Sequence, residues 1–319
     1  MSDLKIEWLP ESECPVMVLG FSGWMDGGRV STATVGYLGE RLGAERLGEI
    51  DAGDFQILHF PVATLPITIY VEDGHTIVAP VSPMESAATF RPHCRIANGR
   101  LEKLVLPANR FFASEKHGIA LFTGEEPHMR WRSYADCVFE VAARIGVRQM
   151  YFVGSVAGPV PHTREPRIRS SLTSDDRREE FEGLGIAFTD YEGPSSIVTY
   201  LMQRAPDHGI EFANLVAEIP HYPFIEMPTY PRSIVTVVAA MRSLLGLDLD
   251  MTELMDAADV VERRLNEVMA DNEEFGRLVT KLEEAYDLEP TDADESLLRN
   301  LIDSLDLGGE SENDEPADE

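Results

Sequence analysis

Pro15-Val-Met-Val-Leu-Gly-Phe21, followed at once by Ser22-Gly-Trp-Met-Asp-Gly-Gly28 and then by a small-residue run from Val30 to Leu42, decides the fold class. Seven residues without a charge, bounded by proline and a glycine-rich segment, suit a strand buried on both faces. The run from Val30 to Leu42 has helical spacing and stops at Gly43, a residue that closes a helix easily in the left-handed conformation. Strand, glycine-rich loop and helix, in that order, open an α/β sheet and put the loop at the carboxyl end of its first buried strand.

Working outward, buried strands are predicted at Leu101 to Leu106, Ile119 to Thr123, Gln149 to Val153 and Asn214 to Ile219. Crossover helices are predicted at Trp131 to Ile145, Ser195 to Arg204 and Arg232 to Leu245, with Pro231 in the first turn, where its missing N–H costs nothing. A mostly parallel sheet flanked by helices follows. Two β-branched runs around Asp73-Gly74, spanning Ile67 to Ala79, read as an inserted β-hairpin. It either finishes the chain's own sheet edge or reaches a neighbouring subunit.

The organisation predicted is an α/β core over residues 1–247, an acidic helical appendage over 248–306 and a disordered acidic tail over 307–319. In the appendage, amphipathic helices are expected at Met251 to Met269, Asp271 to Tyr286 and Asp292 to Leu305. Val260, Val261, Leu265, Val268 and Met269 make an apolar stripe that needs the core, a partner helix or another subunit to cover it. From Gly308 onward no core-forming residue remains.

Charge narrows the classes of partner. The 319 residues carry 27 Lys and Arg against 56 Asp and Glu, a formal net charge of -29. Of these, 25 acidic and 5 basic residues fall between Asp248 and Glu319. Such a field repels phosphate backbones, so no nucleic-acid partner is expected. The hydrophobic fraction of 44% is that of an ordinary globular protein, and no apolar run approaches a membrane span. No leader-like segment opens the chain, and a cytoplasmic location with no membrane partner is expected. Cys14, Cys94 and Cys137 lie far apart and outside any Cys/His cluster, so neither a disulfide framework nor a metal site is indicated, and no cofactor is implied.

Four groups could carry chemistry. Gly23, Trp24, Asp26, Gly27 and Gly28 lie between a strand's carboxyl end and a helix N-terminus, whose free N–H groups can hold an anion. The loop matches neither GxGxxG nor GxxxxGK[ST], and its alternative reading is a tight turn with Trp24 in the core. Glu125, beside Glu126 in Gly124-Glu-Glu-Pro127, is either a general acid or base with a raised pKa or a hydrogen-bonding and helix-capping residue. His162, Thr163 and Arg164 gather imidazole, hydroxyl and guanidinium after the strand from Gln149. They could bind an anion and move a proton, or pin an ordered loop. His221 ends the strand from Asn214 and is placed to approach the same sheet edge. Two histidines without a third ligand make no zinc site, and Gly154-Ser155-Val-Ala-Gly158 misses GxSxG.

Gly23-Trp-Met-Asp-Gly-Gly28, Gly124-Glu-Glu-Pro127 with Trp131, Val160-Pro-His-Thr-Arg164 and Ile219-Pro-His-Tyr222, in this order and spacing, resemble the proteasome assembly chaperone 2 family. The resemblance spans about residues 14–246 and is nearest the actinobacterial-type branch with a helical C-terminal extension. It implies a three-layer α/β/α sandwich like that of purine nucleoside phosphorylases, homo-oligomers with a trimer favoured, and C-terminal helices able to cover a pocket as a lid. Chaperone members can end in a hydrophobic-Tyr-any tripeptide that docks on the proteasome ring. Here the sequence ends Ala317-Asp318-Glu319, so docking by that route is not expected. Two readings follow from these residues and the resemblance. One is a non-catalytic assembly or interaction protein with a protein-complex partner. The other is a binding protein or hydrolase/transferase for a small anionic or nucleoside-like ligand at the carboxyl edge of the sheet. No catalytic activity is established by the sequence.

Overall fold

A computed structural model of the chain describes residues 3–58, 67–72, 75–80, 92–222, 225 and 227–288. In chain order the elements are β1 (Leu4–Ile6), β2 (Val16–Ser22), α1 (Val30–Arg41), β3 (Glu45–Ile50), β4 (Ile67–Glu72), β5 (His75–Pro80), β6 (His93–Ala97), β7 (Arg100–Val105), β8 (Asn109–Ser114) and β9 (Ile119–Glu125). They continue with α2 (Trp131–Arg144), β10 (Gln149–Gly158), β11 (Ile168–Ser170), α3 (Arg178–Gly183), β12 (Ala187–Phe188), α4 (Ile197–Arg204), β13 (Glu211–Pro220), α5 (Pro231–Leu245), α6 (Thr252–Asp271) and α7 (Glu273–Asp287).

The apolar run after Pro15 forms β2, with its five inner residues buried. Alternate side chains serve opposite faces, as the pleat requires. Met17, Leu19 and Phe21 join α2 and α4 through Tyr134, Val138, Ile197 and Leu201, whereas Val18 joins α1 and α5 through Val30, Leu38, Val237 and Met241. Helices therefore cover both faces of the sheet, the three-layer arrangement expected. Helix α1 lies so close to β2 that a Cβ on Gly20 would sit 2.7 Å from Val35 Cγ2 and 2.8 Å from the Ser31 carbonyl oxygen.

Among the described residues nine strands make one sheet in the order β1-β3-β8-β9-β2-β10-β13-β11-β12. Its centre, β9-β2-β10-β13, is parallel. Towards one edge β8, β3 and β1 pair antiparallel, and on the other side β11 is antiparallel to β13. The mostly parallel sheet read from the sequence is thus corrected to a mixed one. The strands that sequence reading passed over are short, like β1, β11 and β12, or carry charges on their exposed face, like Glu45-Arg-Leu-Gly-Glu-Ile50 of β3.

A second correction concerns Leu101 to Leu106. That stretch is not a buried strand: β7 pairs with β6 in a separate two-stranded sheet and is exposed along its whole length. Arg100, Glu102 and Lys103 stand among its leucines, so the stretch lacks the unbroken apolar run of a strand buried on both faces. The predicted hairpin is present in its backbone pairing, with Ile67 opposite Pro80 and Glu72 opposite His75. Its turn at Asp73-Gly74 and the predicted helix from Asp292 lie outside the described residues.

The first two C-terminal helices form as α6 and α7. The apolar stripe divides: Leu265 is buried, Val261 and Met269 are half-buried, and Val260 and Val268 stay exposed. Asn272 caps α7, its Oδ1 accepting from Phe275 N–H at 3.0 Å, and Glu273 and Glu274 occupy the first turn, where the helix dipole favours acids. Phe275, Leu278, Val279 and Leu282 then bury themselves against Tyr222. At about 1.5–3 kcal/mol for a fully buried large apolar side chain, this cluster fixes α7. No helix among the described residues is long and apolar enough to cross a membrane.

Candidate functional site

The glycine-rich loop leaves β2 at its carboxyl end and enters α1 through a turn at Gly27–Arg29. Gly28 has φ +54°, and a Cβ there would lie 2.8 Å from Tyr230 Cβ. Tyr230 N–H donates to the Gly28 carbonyl at 2.9 Å. Asp26 turns its carboxylate onto the first turn of α1, accepting from Thr32 N–H at 3.0 Å and from Thr32 Oγ1 at 2.8 Å. The position at which an incoming anion would meet this helix end is held by the chain's own carboxylate. Burial raises the Asp26 pKa, with the Thr32 bonds opposing it. Ser155 Oγ donates to the Gly27 carbonyl, fastening the loop to β10. Trp24, whose alternative reading placed it in the core, is 57% exposed. It follows Gly23, whose φ of +135° is one that residues with side chains rarely adopt.

Glu125 closes β9, Glu126 follows it, and the two diverge. Glu126 Oε1 accepts from Ile197 N–H at 3.0 Å and so satisfies the first turn of α4, beside Ser196, whose Oγ accepts from Val198 N–H. Glu125 is fixed through its backbone: Asn109 Oδ1 accepts its N–H, and Gln56 Nε2 donates to its carbonyl at 3.4 Å and to that of Glu126 at 3.0 Å. Its carboxyl is exposed, yet partial burial still raises its pKa, with the His128 charge opposing. The buried amide Nδ2 of Asn109 and Oε1 of Gln56 have no protein partner among the described residues.

His162, Thr163 and Arg164 all turn towards the C-terminal helices. His162 is buried, its backbone N–H donating to Tyr222 Oη at 2.9 Å, its Nδ1 2.7 Å from the same hydroxyl and its Nε2 3.3 Å from Asn266 Oδ1. Its ring stacks on Phe275 at 5.9 Å. Burial lowers the His162 pKa below its ordinary 6.5, against the Asn266 bond and the Glu262 and Glu283 charges, which raise it. Thr163 Oγ1 donates to Glu283 at 2.6 Å. Arg164 forks onto Asp287, Nε to Oδ1 at 2.9 Å and Nη2 to Oδ2 at 2.7 Å, and reaches Glu283 through Nη1 at 3.0 Å. The Asp287 bonds raise the Arg164 pKa and hold Asp287 below the usual carboxylate range. Nearby, Arg167 lies 3.7 Å over the Tyr286 ring, and Tyr286 Oη donates to the Glu165 carbonyl at 2.7 Å.

The candidates all follow carboxyl ends of the parallel strands, yet their side chains split into separate sets. Gly23 lies against Glu126, since a Cβ on it would come within 3.1 Å of Glu126 Cβ, and this set serves α4. The 162–164 set serves α6 and α7. His221 is exposed, whereas its neighbour Tyr222 turns inward to His162. Sequence reading missed Asn266, Phe275, Glu283 and Asp287; the available signal was the acid pair Glu283 and Asp287, four residues apart and so on one face of a helix. A cleft of about 570 Å³, lined by Arg41, Glu45, Lys116 and His117 among others, opens by the C-terminal end of α1, the opposite end of the sheet. No group of three His, Cys, Asp or Glu among the described residues is placed to hold a metal ion.

A sequence profile described as the PAC2 family matches residues 20–269. Among solved structures, a proteasome-assembly chaperone homologue from Mycobacterium tuberculosis is similar over 83% of this chain and 99% of its own, with 23% identity and a TM-score of 0.66. A protein of unknown function from the same organism is similar over 90% and 92%, with 20% identity and a TM-score of 0.72. The archaeal proteasome activator PbaB of Pyrococcus furiosus is similar over 84% and 99%, with 17% identity and a TM-score of 0.56. No curated protein matches the chain.

Proposed function

The chain belongs to the PAC2 family, and from that membership we propose that it is a non-catalytic assembly protein acting in the cytoplasm, a homo-oligomer whose surface gathers the subunits of a proteasome-like complex. The observation that carries this reading is the use made of the polar residues at the sheet's carboxyl edge. His162, Thr163 and Arg164 bond to Tyr222, Asn266, Glu283 and Asp287 of the same chain, and Asp26 fills the N-terminal turn of α1. Groups so engaged build a fixed surface from core and C-terminal helices, as a scaffold needs. The names of two structural neighbours, a proteasome-assembly chaperone homologue and a proteasome activator, point to the class of partner. Purified proteasome α- and β-subunits of the host, assembled with and without the chain and followed on native gels, test it. Faster or fuller appearance of the complete particle is expected. Unchanged assembly, with no co-migration of the chain with any intermediate, overturns the reading.

A further inference from the structure

Asn98-Gly99 is the one Asn-Gly pair in the sequence, since none of the other six asparagines is followed by glycine. It makes the turn between β6 and β7. Ala97 lies opposite Arg100, so the loop is two residues long, and φ is +51° at Asn98 and +73° at Gly99. Positive φ at both central positions marks a type I′ turn, which suits the twist of a hairpin and which asparagine followed by glycine enters at least cost. Asn98 and Gly99 are exposed, as are most of β6 and all of β7. Among the described residues these two strands pair only with each other. A lone two-stranded ribbon is marginal in water, so it opens readily.

We infer that Asn98 is a site of spontaneous covalent modification, deamidation through a cyclic imide, and that the change is a one-way switch on this hairpin. The chemistry needs only water. Hydroxide takes the proton of the Gly99 N–H, and the nitrogen attacks Cγ of Asn98. The bond from Cγ to Nδ2 breaks, and ammonia leaves with a proton taken from water. The imide then adds one water at either carbonyl, giving aspartate or isoaspartate, and nothing is oxidised or reduced. Glycine lets the ring close because it has no Cβ to crowd the attacking nitrogen. In the closed turn the pairing fixes the backbone of Asn98, so ring closure waits for the ribbon to open, and local opening of a marginal element costs little. The residue pair that the I′ turn selects is thus also the reactive one. Isoaspartate routes the main chain through Cβ and Cγ, adding a carbon to a two-residue loop whose geometry sets the register of Cys94 with Leu104 and of Ile96 with Leu101. Either product also adds a carboxylate to a segment that holds Arg95, Arg100 and Lys103 against Glu102.

The inference rests on sequence, turn geometry and exposure, and is independent of the assembly reading. The full chain, incubated at neutral and at mildly alkaline pH, is digested and mapped by mass spectrometry. Asn98 is expected to gain one mass unit about tenfold or more faster than any other asparagine, because it alone precedes a residue without a Cβ. The rate should rise with pH, and the same peptide should take label from an isoaspartate methyltransferase. Asn98→Gly keeps a residue suited to the turn and removes the reacting amide, so it should take no label there. Ile96→Gly with Leu104→Gly weakens the strands without touching the turn and should speed the reaction. Hydrogen exchange over residues 93–105 should rise in the modified chain and stay as it was in Asn98→Gly incubated alongside. An Asn98 that stays unmodified, or reacts no faster than the other asparagines, overturns the site. A rate indifferent to Ile96→Gly with Leu104→Gly overturns the opening step, and unchanged exchange in the isoaspartate form overturns the switch.

Discussion

Tyr222 Oη receives the backbone N–H of His162 and touches its ring nitrogen, so one hydroxyl satisfies two groups of a buried residue. Tyr222→Phe keeps the ring packing on Phe275 and strands the His162 N–H. A loss of about 1–3 kcal/mol in unfolding free energy is expected by denaturant titration, the range for an unsatisfied buried donor. His162 itself gives the protein a pH dependence. Its folded pKa is depressed below 6.5, so the unfolded chain binds the proton first as pH falls. Its contribution is complete above 6.5 and is lost as pH falls from there through the lowered folded value. The melting temperature should therefore drop more steeply for the unaltered chain than for His162→Gln below pH 6.5; parallel curves would remove His162 from the account. Gly28 is constrained twice, by φ +54° and by Tyr230 Cβ at 2.8 Å. Gly28→Ala is expected to cost at least about 1–2 kcal/mol from the left-handed backbone alone, read as a lower denaturation midpoint.

At the scale of elements, α7 is held in two ways. Phe275, Leu278, Val279 and Leu282 bury an apolar face, and Thr163, Arg164 and Arg167 grip its C-terminal end at Glu283, Tyr286 and Asp287. The apolar face is insensitive to salt, whereas the ionic grip is exposed enough to be screened. Arg164→Ala should speed hydrogen exchange in the last turn of α7 and leave α5 as it was. High salt should produce the same local change in the unaltered chain. Exchange that rises equally over α6 and α7 would mean that the ion pairs hold the whole appendage. Helix α4 is likewise tied from two places in the chain, its first turn capped by Ser196 next to it in sequence and by Glu126, which follows β9.

Over the whole molecule, the charge of -29 predicts no binding to duplex DNA even at low salt, where electrostatic attraction is greatest; fluorescence anisotropy with a labelled duplex checks it. The charge itself, the parallel centre of the sheet and the helices on its two faces were legible in the sequence. Each follows from local quantities: a count of charges, uninterrupted apolar runs such as Pro15 to Phe21, and helical spacing between them. The four motifs likewise placed the candidate residues after the carboxyl ends of β2, β9, β10 and β13. What they do there was not legible. Whether Arg164 meets an outside anion or Asp287 depends on where a helix more than a hundred residues later comes to rest. Whether Leu101 and Leu104 face a core or solvent depends on whether β7 joins the central sheet or pairs with β6 alone. Spacing along the chain determines which side chains share a face, and it carries no information about what lies opposite that face. Tertiary packing alone decided that Trp24 points outward, that Tyr222 rather than His221 turns inward, and that Val260 and Val268 remain uncovered.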